Sequence, residues 1–99
     1  MRNVYPVFFT KTVNAILVEV PDLEILTEGT NMNDAIEMAR DAIELKCISL
    51  EDSKEEIPNP SELSKLDVRN GTFANEGETV MSFVDIDTTE YSIPIEHEK

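Results

Sequence analysis

Positive charge is scarce in this sequence. Lys and Arg number 8 against 21 Asp and Glu in 99 residues, a formal charge of −13. A chain so acidic repels a phosphate backbone, which argues against nucleic-acid binding by phosphate neutralisation. The same repulsion argues against an anionic membrane surface. Cysteine occurs once, at Cys47, which excludes an internal disulfide framework and a cysteine-based zinc cluster. Histidine also occurs once, at His97. Long hydrophobic runs are missing: the longest, Ala15–Val18 and Val7–Phe9, are far too short to span a bilayer. No basic start leads into an apolar stretch, so no secretory leader and no membrane partner are expected, and the chain reads as cytoplasmic.

What is present suffices for one folded domain. Apolar residues make up 40% of the chain, enough to exclude wholesale disorder. A chain this short buries roughly 60–65% of its unfolded surface, so its core is modest and a partner chain would add to it. The acid is unevenly spread. Residues 1–31 carry a net −2, residues 32–70 a net −5 and residues 71–99 a net −6. The least charged third is the natural place for the core.

Val4–Thr10 (V-Y-P-V-F-F-T) is aromatic and β-branched and predicts a strand, with Pro6 marking an edge or a bulge. After the short connection Lys11–Asn14, Ala15–Val20 predicts a second strand in an antiparallel hairpin, closed by Pro21-Asp22. Glu24–Glu28 predicts a third, and Gly29 breaks the chain. Met32, Ile36, Ala39, Ile43, Cys47 and Leu50 then recur at helical spacing and define one apolar stripe, with Leu45 off it and Arg40 at its flank. Asn31 is placed to cap that helix by accepting from the backbone N–H of Asp34, which can return the bond. Residues 51–60 are a charged, proline-punctuated connector. Ser61–Lys65 predicts one helical turn capped by Ser61, and Val68–Glu78 a loop or weak hairpin. Thr79–Ile86 predicts a fourth strand, with Val80, Ser82, Val84 and Ile86 on one side and Met81, Phe83 and Asp85 on the other. Tyr91–Ile95 predicts a short extended segment. The order β-β-β-α-β gives an α+β fold, an antiparallel sheet with one main helix on one face, in a domain of residues 1–87 followed by an acidic tail of residues 88–99.

Several short pieces, in this order and spacing, resemble the HicB antitoxin family. They are Tyr5-Pro6 opening a strand, Pro21-Asp22-Leu23, Thr27-Glu28-Gly29, the helix start Asn31-Met32-Asn33-Asp34-Ala35, Ile57-Pro58-Asn59-Pro60-Ser61 and Val84-Asp85-Ile86-Asp87. The resemblance implies a partial RNase H-like fold with no need for catalysis. It implies a partner, a small basic HicA-type toxin that cleaves RNA and whose active site the antitoxin covers. Two departures stand out. Glu24 follows Leu23 where the family usually has a Pro-Gly pair, and only twelve residues follow Asp87. A DNA-binding domain, which many family members carry, does not fit in that length, so no direct DNA binding is expected from this chain alone.

No catalytic, cofactor-binding or metal-ligating residue is assigned. Cys47 falls on the apolar stripe and reads as a small buried hydrophobe. His97 lies in a Glu-His-Glu-Lys tail, a poor place for a base that needs a fixed position. Asp85 and Asp87 face one side of a strand and, with Glu19 or Glu90, offer oxygen ligands to a divalent cation; the competing reading is a solvated edge that discourages strand pairing. Phe8 and Phe9 point opposite ways on a regular strand, so one is core and the other lies at an interface or in solvent. An exposed aromatic on an open sheet suggests self-association, as a dimer or tetramer.

The expected function is an antitoxin that occludes a small basic ribonuclease. Asp22, Glu24 and Glu28 around the loop after the second strand, and Glu51, Asp52, Glu55 and Glu56 after the helix, are the expected partner contacts. Two alternatives stand beside it: an acidic adaptor or nucleic-acid mimic without a toxin, and a metal-dependent nuclease built on Asp85, Asp87 and Glu19.

Overall fold

The computed structural model describes residues 1–91. Four strands, β1 (Arg2–Lys11), β2 (Ile16–Val20), β3 (Ile25–Gly29) and β4 (Glu78–Asp87), form one antiparallel sheet in the order β3-β2-β1-β4. The long helix α1 (Met32–Asp52) lies on one face, and a single turn, α2 (Thr88–Tyr91), follows β4. The expected β-β-β-α-β order and α+β class are borne out. Residues 92–95 of the expected extended segment lie outside the described residues, and Tyr91 itself belongs to α2.

The helix face of the sheet follows the period of two. Tyr5, Val7 and Phe9 of β1, Ile16, Val18 and Val20 of β2, and Val84 and Ile86 of β4 meet Ala35, Ala39, Ile43 and Cys47 of α1 in one buried cluster. Small residues at Ala35 and Ala39 let the helix sit close. Gly29 sets the limit of that approach: a Cβ there would lie 2.4 Å from the backbone N of Ala35. The stripe read from the sequence is displaced at its ends. Met32 is exposed, and Ile36 and Leu50 are only partly buried, because α1 extends past the sheet while its middle crosses the strands.

The ends of α1 are closed by specific bonds. Asn31 accepts from Asp34 N at 2.9 Å, as expected. The Asp34 carboxylate returns its bond to Thr30 N at 2.8 Å, one residue earlier than a capping box would place it. At the other end Glu55 N reaches Leu50 O at 2.8 Å, across Lys54 in the left-handed region at φ 60. This is the Schellman arrangement with lysine where glycine is usual.

Two readings are corrected, and one pair of alternatives is decided. β1 is an interior strand, and Pro6 marks neither an edge nor a bulge. The β1–β2 pairing runs only from Phe8↔Glu19 to Lys11↔Ile16. The N of Pro6 faces the β2 side where β2 has ended, so no ladder bond is lost there. The turn at Leu63–Lys65 is 3-10 and starts from Glu62 without a side-chain cap; Ser61 is bonded to Asp22 instead. Of the loop and the weak hairpin expected over residues 68–78, the structure has the loop. It makes a 3-10 turn at Val68–Asn70 and lies over the second face of the sheet, where Gly71 passes so near Phe8 that a Cβ would stand 2.9 Å from its ring.

That loop overturns the expectation that one of Phe8 and Phe9 lies at an interface or in solvent. Phe9 is in the core under α1, and Phe8 is buried beneath the loop. Phe83, opposite Pro6 on the same face as Phe8, is the aromatic left half exposed.

Candidate functional site

The exposed functional groups gather along β3, at one edge of the sheet. Before it, Pro21–Leu23 makes a 3-10 turn, and Glu24 takes a left-handed backbone at φ 55, with Glu24 N bonded to Pro21 O at 3.3 Å. A glutamate here carries a backbone cost of about 1–2 kcal/mol that glycine would avoid. Along β3, Ile25 and Thr27 turn toward α1, while Leu26 and Glu28 share the opposite face. Leu26 is 55% exposed. An apolar side chain thus stands between two exposed carboxylates, those of Glu24 and Glu28.

Glu19 faces Leu26 across the ladder. Its carboxylate accepts from Thr72 N and Thr72 Oγ1, each at 2.8 Å, and so pulls the 68–72 loop over the sheet. Glu19, Pro21, Glu24, Leu26 and Thr72 enclose a shallow depression of about 280 Å³. Around the corner, Glu24 also borders a groove of about 320 Å³ with Lys46, Leu50, Glu56 and Pro58.

The seven acids expected at a partner surface fall into unlike positions. Asp22, Glu24 and Glu56 line the second groove. Asp22 is not free there: its carboxylate accepts from Ser61 N at 2.8 Å and from the Ser61 hydroxyl. It anchors the connector. Tyr5 completes the anchor by donating to Pro58 O at 2.7 Å. Burial, and next the neighbouring Cys47, push the Tyr5 phenol up to about 12, which keeps it protonated as that donor. Glu28 lies at the far end of β3, and Glu51 and Asp52 on the last turn of α1 with Glu55 just after; all four are exposed. Leu26 was not among the expected contacts. Its signal is the alternation in Glu24-Ile25-Leu26-Thr27-Glu28, which puts Leu26 on the side away from a helix-covered core.

Asp85, Asp87 and Glu19 are not brought together. Arg40 of α1 donates to Asp85 Oδ1 and, through Nε, to Asp85 O, both at 3.0 Å, and the bond to Oδ1 is the chief cause that holds the Asp85 carboxyl below its usual range. Asp87 sits 3.9 Å from Arg2. Glu19 is two strands away on Thr72. Among the described residues no group of three His, Cys, Asp or Glu side chains is placed to hold a metal ion. Cys47 is fully buried, and burial pushes its thiol up, away from thiolate reactivity. His97 lies outside the described residues. Among the described residues no helix is long and apolar enough to cross a membrane.

The sequence model of a family described as HicB_like antitoxin of bacterial toxin-antitoxin system matches residues 5–97. Comparison with curated proteins gives no match. Two solved structures share the fold. One is a toxin–antitoxin complex from Streptococcus pneumoniae, with a TM-score of 0.79 and 23% identity over 92% of this chain and 73% of that one. The other is a HicA3 and HicB3 toxin–antitoxin complex, with a TM-score of 0.64 and 23% identity over 85% of this chain and 98% of that one.

Proposed function

The chain belongs to the HicB-like antitoxin family, and from that premise we propose that it neutralises a small basic HicA-type ribonuclease in the cytoplasm by covering its RNA-binding surface. The role is non-catalytic. The observation that carries it is the β3 edge, where Leu26 stands exposed between Glu24 and Glu28. A surface evolved to hold RNA is cationic, and an acidic surface with an apolar knob supplies both steering and a desolvated contact. One structure of the same fold is a HicA3 and HicB3 complex, which supports the choice of toxin.

Within this reading the acids divide by task. Glu24 and Glu28 flank the contact. Glu51, Asp52, Glu55 and Glu56 steer the approach from the end of α1, and Asp22 supports the loop from behind. The test is inhibition of RNA cleavage by a purified HicA-type toxin. Leu26→Asp and the pair Glu24→Lys/Glu28→Lys should each weaken inhibition by about tenfold or more, the order of one good interface contact. Their melting temperatures should stay near that of the parent, since all three positions are exposed. Full inhibition by both variants overturns the β3 site. Failure of the parent chain to inhibit overturns the antitoxin role and leaves the acidic adaptor.

A further inference from the structure

The opposite edge of the sheet, β4, poses a separate question. Ten residues long, it has no neighbour on its outer side among the described residues. Unpaired edges invite strand addition unless they are blunted. Here α1 blunts one end only. Arg40 Nε takes Asp85 O at 3.0 Å, and Asp87 N donates to Glu44 at 3.5 Å. Those bonds also show which backbone groups point outward. Residues 85 and 87 do, so by the antiparallel alternation residues 79, 81 and 83 do as well. At these three positions no helix side chain is bonded to the outward groups.

Thr79, Val80, Met81, Ser82, Phe83 and Val84 are uncharged in a chain of net −13. Val80 and Phe83, on opposite faces, are each 51% exposed. A cationic partner finds nothing here to bind; its complement is the acid on β3. What fits a neutral, self-facing strand edge is another copy of that edge.

We propose that β4 pairs antiparallel with β4 of a second copy of this chain, about a two-fold axis at Met81. That axis sets Met81 against Met81 and Thr79 against Phe83, so all three free residues exchange their bonds and the Arg40 and Glu44 contacts stay in place. Val80 falls opposite Ser82, Glu78 opposite Val84 and Asp85 opposite Gly77. No acid faces an acid, although both copies are strongly acidic. An axis at Phe83 would instead set Met81 against Asp85, whose carbonyl Arg40 already occupies. The product is one eight-stranded sheet with both copies of α1 on the same face and a β3 edge at each end. The proposal is independent of the toxin reading.

Sedimentation equilibrium of the full chain tests it. The parent should reach twice its 11.2 kDa mass as concentration rises. Added salt should strengthen the association, because it screens two like-charged molecules. Met81→Lys places two like charges on the axis and should weaken association by about tenfold or more, while Leu26→Lys on β3 leaves it unchanged. Hydrogen exchange on the parent gives a reading that does not depend on a variant's folding: the amides of Thr79, Met81 and Phe83 should gain protection as concentration rises. A monomer at every concentration overturns the proposal. So does association indifferent to Met81→Lys, or protection of those amides that appears only when a toxin is added.

Discussion

Asp22 and Ser61 lie 39 residues apart in sequence, yet both polar groups of Ser61 end on one carboxylate. Hydrogen bonds to a charged, partly buried acceptor contribute about 1.5–3 kcal/mol each, and removing the acceptor leaves its donors to find water. Asp22→Ala should therefore lower unfolding stability by about 2 kcal/mol in urea denaturation, with a smaller loss for Asp22→Asn. Glu44 shows the opposite economy. Burial raises its acid, so the native state holds that proton more tightly than the unfolded chain does. The sign follows from linkage: stability contributed by this group falls as pH rises from the unfolded value through the folded one. Glu44→Gln should melt higher than the parent at neutral pH. The difference should vanish as pH falls into the ordinary carboxylate range. An equal gain at both pH values would mean that burial of the charge is not its source.

At the scale of the elements, α1 is fixed by its small residues and its termini. Ile43 is fully buried in the centre of the core, and Ile43→Ala should cost about 2–4 kcal/mol in urea denaturation. Lys54→Gly should raise stability by up to about 1 kcal/mol, because the left-handed position that ends the helix suits glycine. A loss instead would place the lysine side chain in a contact worth more than the backbone cost. These elements were legible in the sequence wherever one period dominated. The alternation of Val80, Ser82, Val84 and Ile86 foretold the face of β4, and the helical spacing through Ala39, Ile43 and Cys47 foretold the buried side of α1. The misreadings share a cause in distant chain. Pro6 signals an edge only if both neighbouring strands run past it, and where β2 stops is not written near Pro6. Phe8 is buried by a loop sixty-odd residues later. Asp22 looked like a free acid because its partner is distant.

Taken whole, the molecule divides its surface between two sheet edges of different character. Charge reversal at Glu51, Asp52, Glu55 and Glu56 should slow association with a basic toxin and flatten its dependence on salt, while leaving dissociation little changed. An unchanged on-rate in stopped-flow mixing would remove the region after α1 from the steering surface. The strand order β3-β2-β1-β4 carries one more consequence. With β4 taken by a second copy, the edge left at each end of the joint sheet is β3, and strand addition there would extend the sheet into a ribbon. What opposes that growth in this chain is the pair Glu24 and Glu28 on the exposed lip. Resistance to such growth is thus an electrostatic property, and concentrated salt, which screens that repulsion, is where light scattering should first detect ribbons.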